Sequence, residues 1–310
     1  MYRFLKRKLK KKLESFVERI VTTKLDEEFE TRLQIHKQME EFKNAPPEML
    51  ASKIESKTSI PGLIRRFIQL GIPLRKECID IDGFIRWREK YREIIIFYGD
   101  FRDVKVEKTL EHYLTMKYLD IPSKQVLIDV AALNSPFANI VSRHLNIKGY
   151  ELDLVYEPGI HSGKIGGDAG NMPVPDEFAD ILTLHCAFEC FQGEADTLFV
   201  KEAQRVLRRG GCLGIVPLYV DDEYFVKIGP KYDKRKIQID KGARQVWRDD
   251  TYDTVPFSRH YSPESLKKRV IDNLGDLKYE IIHFTNLSEL EKHFPGQRLY
   301  AYFFLKALKP

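Results

Sequence analysis

The sequence has little cysteine and no long apolar run, and both scarcities limit what the protein can be. Only four of 310 residues are cysteine, and no two have the Cys-x-x-Cys spacing of zinc or redox sites. Cys186 and Cys190 lie four residues apart, but no nearby His or Cys pair completes a ligand set, so we predict no metal. No apolar run reaches the ~18 residues that cross a bilayer. The composition favours a cytoplasmic protein with reduced thiols.

Acidic residues are missing from one end of the chain. Residues 1–12 carry seven lysines and arginines and no acid, so the total of +5 minus these seven leaves −2 for the other 298 residues. The basic run is short and no stacking aromatic residues interleave with it, which argues against a nucleic-acid partner. It also lacks the apolar core of a secretory signal.

Glycine and proline are absent from the first 43 residues, which predicts one long helix. Leu5, Leu9, Leu13 and Ile20 recur three or four residues apart and form an apolar stripe. We interpret residues 1–45 as an arm with two alternatives. It forms a coiled coil that makes a homo-oligomer or packs elsewhere, or its basic start lies on an anionic membrane, such as the inner membrane surface.

The remaining chain divides into two regions of different texture. Residues 46–104 contain short amphipathic patterns separated by turns, and we predict a helical connector. Residues 105–310 alternate apolar runs of strand length with helical patterns, which predicts an α/β domain. Residues 221–262 interrupt the alternation and are predicted to be an insertion.

The alternating region predicts a doubly wound, mostly parallel, seven-stranded sheet. Strands are expected over Val126–Val130, Ile147–Leu152, Lys164–Asp168, Ala179–His185 and Leu213–Tyr219. Two more strands close the sequence, in "LKYEIIHF" and "RLYAYFFLKAL". Only a short segment separates them, so we expect an antiparallel pair at one sheet edge.

One long stretch carries a family resemblance: "GGDAGNMPVPDEFADILTLHCAFECF", followed by "EAQRVLRRGGCLGIVPLY". It resembles the class I S-adenosylmethionine-dependent methyltransferases, in particular the type 11-like domain, and the resemblance covers roughly residues 105–308. It implies the Rossmann-like methyltransferase fold and S-adenosylmethionine as cofactor. It does not indicate the acceptor.

The resemblance assigns cofactor contacts by position. Asp129 would face the methionine end, Asp153 the ribose hydroxyls, and Asp168 with the Ala169 backbone the adenine amine. His185 would line the pocket near the reacting methyl group. Carboxylates at successive strand ends suit a diol and an amine, because ligands of open parallel sheets bind beyond the carboxyl ends of the strands.

The first loop of this domain departs from the family pattern because it contains no glycine. Ala131, Leu133 and Ser135 occupy the three glycine positions, and Asn134, which tolerates left-handed backbone, lies between them. In one alternative the cofactor binds beside Ala131 with a shifted methionine end, held by the Asn134 side chain and by the N-terminus of the following helix, where free N–H groups of the turn can face a carboxylate. In the other, the pocket has lost the cofactor and the domain is a scaffold or binds another ligand. We favour the first alternative.

Three functional hypotheses remain open. The first is a methyltransferase for a small-molecule or glycan-type acceptor, with His185 and Glu189 as acid–base candidates and four cations of the insertion on an anionic acceptor: Arg244, Arg248, Arg259 and His260. The second is a catalytically inactive scaffold that oligomerises through its arm. The third, a dinucleotide-dependent oxidoreductase, is disfavoured because no Gly-x-Gly-x-x-Gly run is present.

Overall fold

The computed structural model describes residues 2–249 and 255–310, with side chains described from residue 20 onward. Its helices are α1 (Tyr2–Lys43), α2 (Ala51–Glu55), α3 (Ile60–Gln69), α4 (Ile81–Lys90), α5 (Arg92–Phe97), α6 (Lys105–Leu119), α7 (Phe137–Leu145), α8 (Ala195–Val206), α9 (Pro263–Arg269) and α10 (Leu287–His293). Its strands are β1 (Leu74–Glu77), β2 (Val126–Val130), β3 (Lys148–His161), β4 (Lys164–Gly166), β5 (Ala179–His185), β6 (Leu207–Val216), β7 (Phe225–Ile228), β8 (Arg244–Trp247), β9 (Phe257–His260), β10 (Lys278–Phe284) and β11 (Phe303–Leu308).

The main sheet has the order β1-β10-β11-β6-β5-β2-β3-β4. β11 runs antiparallel to both of its neighbours, and the other neighbouring strands of this sheet pair in parallel. The register between β3 and β4 becomes irregular after Asp153. The chain winds outward from β2 to β4, then returns to β5 and winds the other way. The β2–β5 pair is therefore the topological switch point, where open α/β sheets bind ligands. The α/β, doubly wound, mostly parallel fold is confirmed.

Strands β2 and β5 form because their residues can be buried on both faces of the sheet. Leu127 packs into one apolar cluster together with α4 to α7, whereas Ile128 and Val130 pack into another together with α3, α8 and α9. Successive side chains of a strand point to opposite faces, so a continuous apolar run serves both clusters.

Two details of the predicted sheet are wrong. The sheet has eight strands rather than seven, because β1 joins it from residues 46–104, which were predicted to be wholly helical. The sequence of β1, "LRKE", has no apolar run, and it becomes a strand by pairing Leu74 with Ile281 of β10. The antiparallel pair β10–β11 consequently lies inside the sheet, and not at its edge.

The insertion at residues 221–262 folds into a second, three-stranded sheet of order β8-β7-β9. Helix α1 is continuous as predicted, and its C-terminal end packs on this sheet. Gln38 is fully buried, donates to the Tyr232 carbonyl at 2.8 Å and accepts from the Lys234 N–H at 3.0 Å. Phe42 meets Trp247 edge to face.

Farther from its end, α1 carries apolar residues that face solvent. Val21, Leu25 and Phe29 are four residues apart and all exposed, so they form a stripe along the helix. Within the described ranges, no helix has the length and apolar character to cross a membrane.

Candidate functional site

The switch point between β2 and β5 buries one carboxylate, that of Asp129. Its side chain is 1% exposed. Its Oδ1 accepts from the Thr183 hydroxyl at 2.9 Å and from Nδ1 of His185 at 2.9 Å. Its Oδ2 is buried and has no hydrogen-bond partner among residues 2–249 and 255–310. A buried carboxylate oxygen without a partner is costly, so this position is prepared for a donor that the protein itself does not supply.

The glycine-free loop adopts the backbone that glycine would adopt easily. The φ angles are +52° at Ala131, +38° at Leu133 and +61° at Asn134, all in the left-handed region that side chains disfavour. The side chain of Leu133 is 62% exposed, so it does not fill the interior of the fold. The loop therefore keeps a tight turn at a conformational cost that other contacts must offset.

Those contacts use the N–H groups that were predicted to be free. The Leu133 N–H donates to Oδ2 of Asp153 at 3.0 Å, and the Asn134 N–H donates to the Tyr156 hydroxyl at 2.7 Å. Oδ1 of Asn134 accepts from Nζ of Lys164 at 2.8 Å. The prediction that the turn leaves free N–H groups for a ligand is wrong at Leu133 and Asn134, because Asp153 and Tyr156 of β3 accept from them. The Asn134 side chain, which was expected to hold the cofactor, accepts from Lys164 of β4.

The two other predicted carboxylates lie farther along the same edge of the sheet. Asp153 is half-buried, and its Oδ1 accepts from the Val155 N–H at 3.1 Å in addition to the Leu133 contact. Asp168 is exposed just after β4, with Oδ1 accepting from the Gly170 N–H at 2.8 Å, and Ala169 beside it is buried. The structure thus brings the three acids to the same side of the sheet. Asp129 is the next-to-last residue of β2, Asp153 lies within β3 just after its pairing with β2 ends, and Asp168 follows β4.

His185 is held on both sides of its ring. Nδ1 bonds to Asp129, and Nε2 lies 3.0 Å from the Thr115 hydroxyl of α6. Its ring also packs against those of His112 and Phe137, with centroids 4.3 and 4.6 Å away. These contacts fix the orientation of the imidazole, and its predicted acid–base role stays a prediction.

Glu189 follows β5 in a short 3-10 helix, Phe188–Cys190. Its side chain is buried, and Oε1 accepts from the Cys186 thiol at 3.2 Å. The Cys186 sulfur also lies 3.6 Å from the Tyr219 hydroxyl and 4.0 Å from that of Tyr300. Burial raises the pKa of this thiol above its usual range, which disfavours the nucleophilic thiolate form of Cys186.

Helix α6 adds a charged face that sequence reasoning missed. Glu107, Glu111 and His112 are fully buried, and Lys108 bonds to Oε1 of Glu111 at 3.1 Å. Oε2 of Glu107 accepts from the Tyr300 N–H at 3.0 Å. The signal that could have found this face is the i, i+4 spacing of Glu107 and Glu111, with Lys108 between them, on the same helix as the apolar face of α6.

The buried position of Glu111 predicts a pH-dependent stability. Burial raises its pKa from 4.5 to about 7. The unfolded chain releases this proton near pH 4.5 and the folded chain only near pH 7, so stability falls as pH rises between these values. We expect Glu111→Gln to change the free energy of unfolding little at pH 4.5 and to raise it by roughly 3 kcal/mol at pH 8. Urea unfolding at both pH values measures this.

The control is Glu27→Gln, the same change at an exposed position of α1. It is expected to give the same difference from wild type at both pH values. A Glu111→Gln effect that is equally large at pH 4.5 and pH 8 would contradict the buried-acid explanation.

The insertion does not offer its cations to an anionic acceptor, contrary to the prediction. The Arg259 guanidinium is fully buried between Asp196 and Asp240, at 3.1 and 2.5 Å. The others also have protein partners: Arg244 pairs with Glu223 at 2.8 Å, Arg248 donates to Ser258 at 2.6 Å, and His260 bonds to Asp221 at 2.6 Å. All four side chains therefore have partners within the protein, and Arg259 also joins the insertion to α8 through Asp196.

In comparisons with known proteins, residues 131–215 match a family model described as a methyltransferase domain. The comparison with curated proteins found no match. Among solved structures, a protein described as a methyltransferase from an antibiotic biosynthesis pathway of Anabaena variabilis is 18% identical at a TM-score of 0.29. That match covers 34% of this chain and 43% of the other, so the chain spans less than half of that relative.

Two further solved structures match over more of this chain. An S-adenosylmethionine-dependent methyltransferase from Methanosarcina mazei is 11% identical at a TM-score of 0.40, over 63% of this chain and 96% of the other. One from Thermotoga maritima is 18% identical at a TM-score of 0.40, over 80% and 99%. Identities and TM-scores this low do not assign an acceptor or a partner to this chain.

Proposed function

We propose that this chain, whose residues 131–215 match a methyltransferase-domain model, is an S-adenosylmethionine-dependent methyltransferase that transfers a methyl group to a small-molecule or glycan-type acceptor. The observation that carries the proposal is Oδ2 of Asp129, a buried oxygen that finds no partner in the described part of the chain, at the switch point of the sheet. When bound, the cofactor supplies an electrophilic methyl group on a sulfonium.

The residues at this edge fit the cofactor. Asp129 offers a buried acceptor to the ammonium of its methionine end. Asp153 already accepts two N–H groups, but a carboxylate has about four lone-pair positions, so two remain for the ribose hydroxyls. Asp168 is exposed and has accepting capacity for an adenine amine, with the buried Ala169 beside it.

The acceptor position in this proposal lies beyond the ends of β5 and β6. Glu189 and Cys186 follow β5, Tyr219 follows β6, and the ring of Tyr300 stacks on that of Tyr219 with centroids 5.8 Å apart. Buried polar groups beside stacked rings can orient a small acceptor and exclude water, which is what an in-line methyl displacement requires.

Substituting Asp168 tests the cofactor site without disturbing the fold, since this side chain is exposed. We expect Asp168→Ala to weaken S-adenosylmethionine binding about ten-fold, because one charge-assisted hydrogen bond is worth roughly 1.5 kcal/mol or more. Calorimetry with S-adenosylmethionine, S-adenosylhomocysteine and NAD measures it. Asp100→Ala, an exposed acid of the connector, is the control, and equal affinities of both variants would count against Asp168.

One observation favours the alternative of an inactive scaffold. The Leu133 and Asn134 N–H groups, which a bound carboxylate would use, already have partners within the protein. If the domain is an inactive scaffold, the left-handed turn after β2 serves only to stabilise the fold. The same calorimetry separates the two, since a scaffold binds none of the three ligands.

The arm, residues 1–45, completes the proposal: it joins a second copy of this chain through the exposed stripe of Val21, Leu25 and Phe29. Burying such a stripe against another helix removes apolar surface from water. We expect the double variant Leu25→Glu with Phe29→Glu to sediment as a monomer where the full-length wild type sediments as an oligomer. A monomeric wild type that floats with anionic vesicles would favour membrane contact instead.

A further inference from the structure

Four buried polar side chains beyond the ends of the central strands have an atom without a hydrogen-bond partner. They come from α6 and from the short helix after β5, which converge on the acceptor position defined above. These atoms are Glu107 Oε1, Glu111 Oε2, Glu189 Oε2 and His112 Nδ1, and none of the four finds a hydrogen-bond partner among residues 2–249 and 255–310. Three of the four are carboxylate oxygens, and each belongs to a side chain at most 7% exposed.

The three carboxylates form one electrostatic unit. Burial raises the pKa of Glu107 well above its usual range, with the charge of Glu111 as the next cause, and Glu189 contributes to the raised pKa of Glu111. Lys108 pairs with Glu111 but supplies a single positive charge. A further positive charge placed beside these carboxyl groups would favour their ionised forms and would in turn be stabilised by them.

Among positive ligands, the geometry disfavours a metal ion. No three His, Cys, Asp or Glu side chains in the described portion of the chain are arranged to hold one. The neighbouring groups are instead the stacked rings of Tyr219 and Tyr300, whose faces attract organic cations. Carboxylates next to aromatic faces are the surroundings that recognise a protonated amine.

We propose that the acceptor is an amine, bound as an ammonium between Glu111 and Glu189 against the rings of Tyr219 and Tyr300. This rests on the proposed methyltransferase function and narrows its acceptor to amine-bearing small molecules, amino sugars included. It replaces the anionic acceptor predicted from the insertion, whose arginines bond to other protein groups.

The transfer balances as follows. The ammonium gives one proton to the Glu189 carboxylate, which frees the nitrogen lone pair. The lone pair forms the new N–C bond as the C–S bond of the sulfonium breaks, and the electron pair of that bond remains on sulfur. The products are a neutral thioether and a methylated ammonium, and the proton on Glu189 leaves to solvent.

Calorimetry first establishes cofactor binding. Full-length protein and methyl-labelled S-adenosylmethionine are then incubated with three separate pools of small molecules: primary amines, alcohols and carboxylic acids. We expect label in the amine pool only. Label in the alcohol or acid pool, or in none while the cofactor binds, overturns the amine assignment and leaves the cofactor site standing. Failure to bind the cofactor overturns the proposed function itself.

Glu189→Gln links the result to the site. It is expected to raise the KM for the accepted amine at least ten-fold and to lower kcat, because it removes both the ion-pair partner and the proton acceptor of the amine. The affinity for S-adenosylhomocysteine is expected to stay unchanged, because the cofactor does not contact Glu189 in this proposal. Glu194→Gln, the same change at an exposed side chain five residues later, is the matched control. Equal KM values for the two variants would overturn the role of Glu189. Glu111→Gln, on the other side of the proposed ammonium position, provides a second test of the KM for the amine.

Discussion

Replacing Asp129 by asparagine is expected to weaken S-adenosylmethionine binding about 100-fold while the protein stays folded. The amide oxygen still accepts from Thr183 and His185, which bond to Oδ1 at 2.9 Å. The amide nitrogen, however, replaces Oδ2, the buried oxygen left without a partner by the described residues. It presents a donor to the cofactor's ammonium, and losing one side of a buried charged hydrogen bond costs about 3 kcal/mol.

Calorimetry measures the cofactor affinity of the Asp129→Asn protein, and thermal unfolding of the same preparation measures its stability. Together they separate a loss of binding from a loss of fold. The control is Asp180→Asn, the same change at the opposite end of β5, where the carboxylate accepts from the Val126 N–H at 2.7 Å and pairs with Arg208. The control should bind the cofactor like wild type. A folded Asp129→Asn protein with unchanged affinity would remove Asp129 from the cofactor site and, with it, the main support for the proposed function.

Replacing Arg259 by alanine is expected to cost the fold roughly 3–5 kcal/mol, the largest stability loss we predict. The Arg259 guanidinium is fully buried with Asp196 of α8 and with Asp240 of the insertion. It also donates to the Gly193 carbonyl at 2.9 Å. Without it, two buried carboxylates lose a countercharge, and Arg269, at 2.7 Å from Asp196 and 4.0 Å from Asp240, replaces it only in part.

Urea unfolding measures this loss. Lys267→Ala removes an exposed cation that pairs with Asp272 at the surface, and such pairs contribute about 0–1 kcal/mol. If Arg259→Ala were no more harmful than Lys267→Ala, the buried network would not be what fastens the insertion to the main sheet.

Local signals predicted the central strands because these strands are buried on both faces. The bounds of β2 and β5 agree with the predicted Val126–Val130 and Ala179–His185. Other strand bounds differ from the prediction: the strand expected over Ile147–Leu152 is β3, Lys148–His161, and the one expected over Leu213–Tyr219 is β6, Leu207–Val216. Polar edge residues carry no period of their own, so their structure depends on the neighbour with which they pair.

The sequence by itself determined the alternation of strands and helices in the main sheet, apart from β1, and it associated Asp129, Asp153 and Asp168 with three successive strands. Those features follow from local periodicity, which a single segment contains. Only the tertiary structure decided that Asp153 closes the glycine-free loop and that Glu111 of α6 meets Glu189 after β5. Such contacts join residues far apart in the chain, and they arise from sheet register and helix packing, which no local pattern specifies.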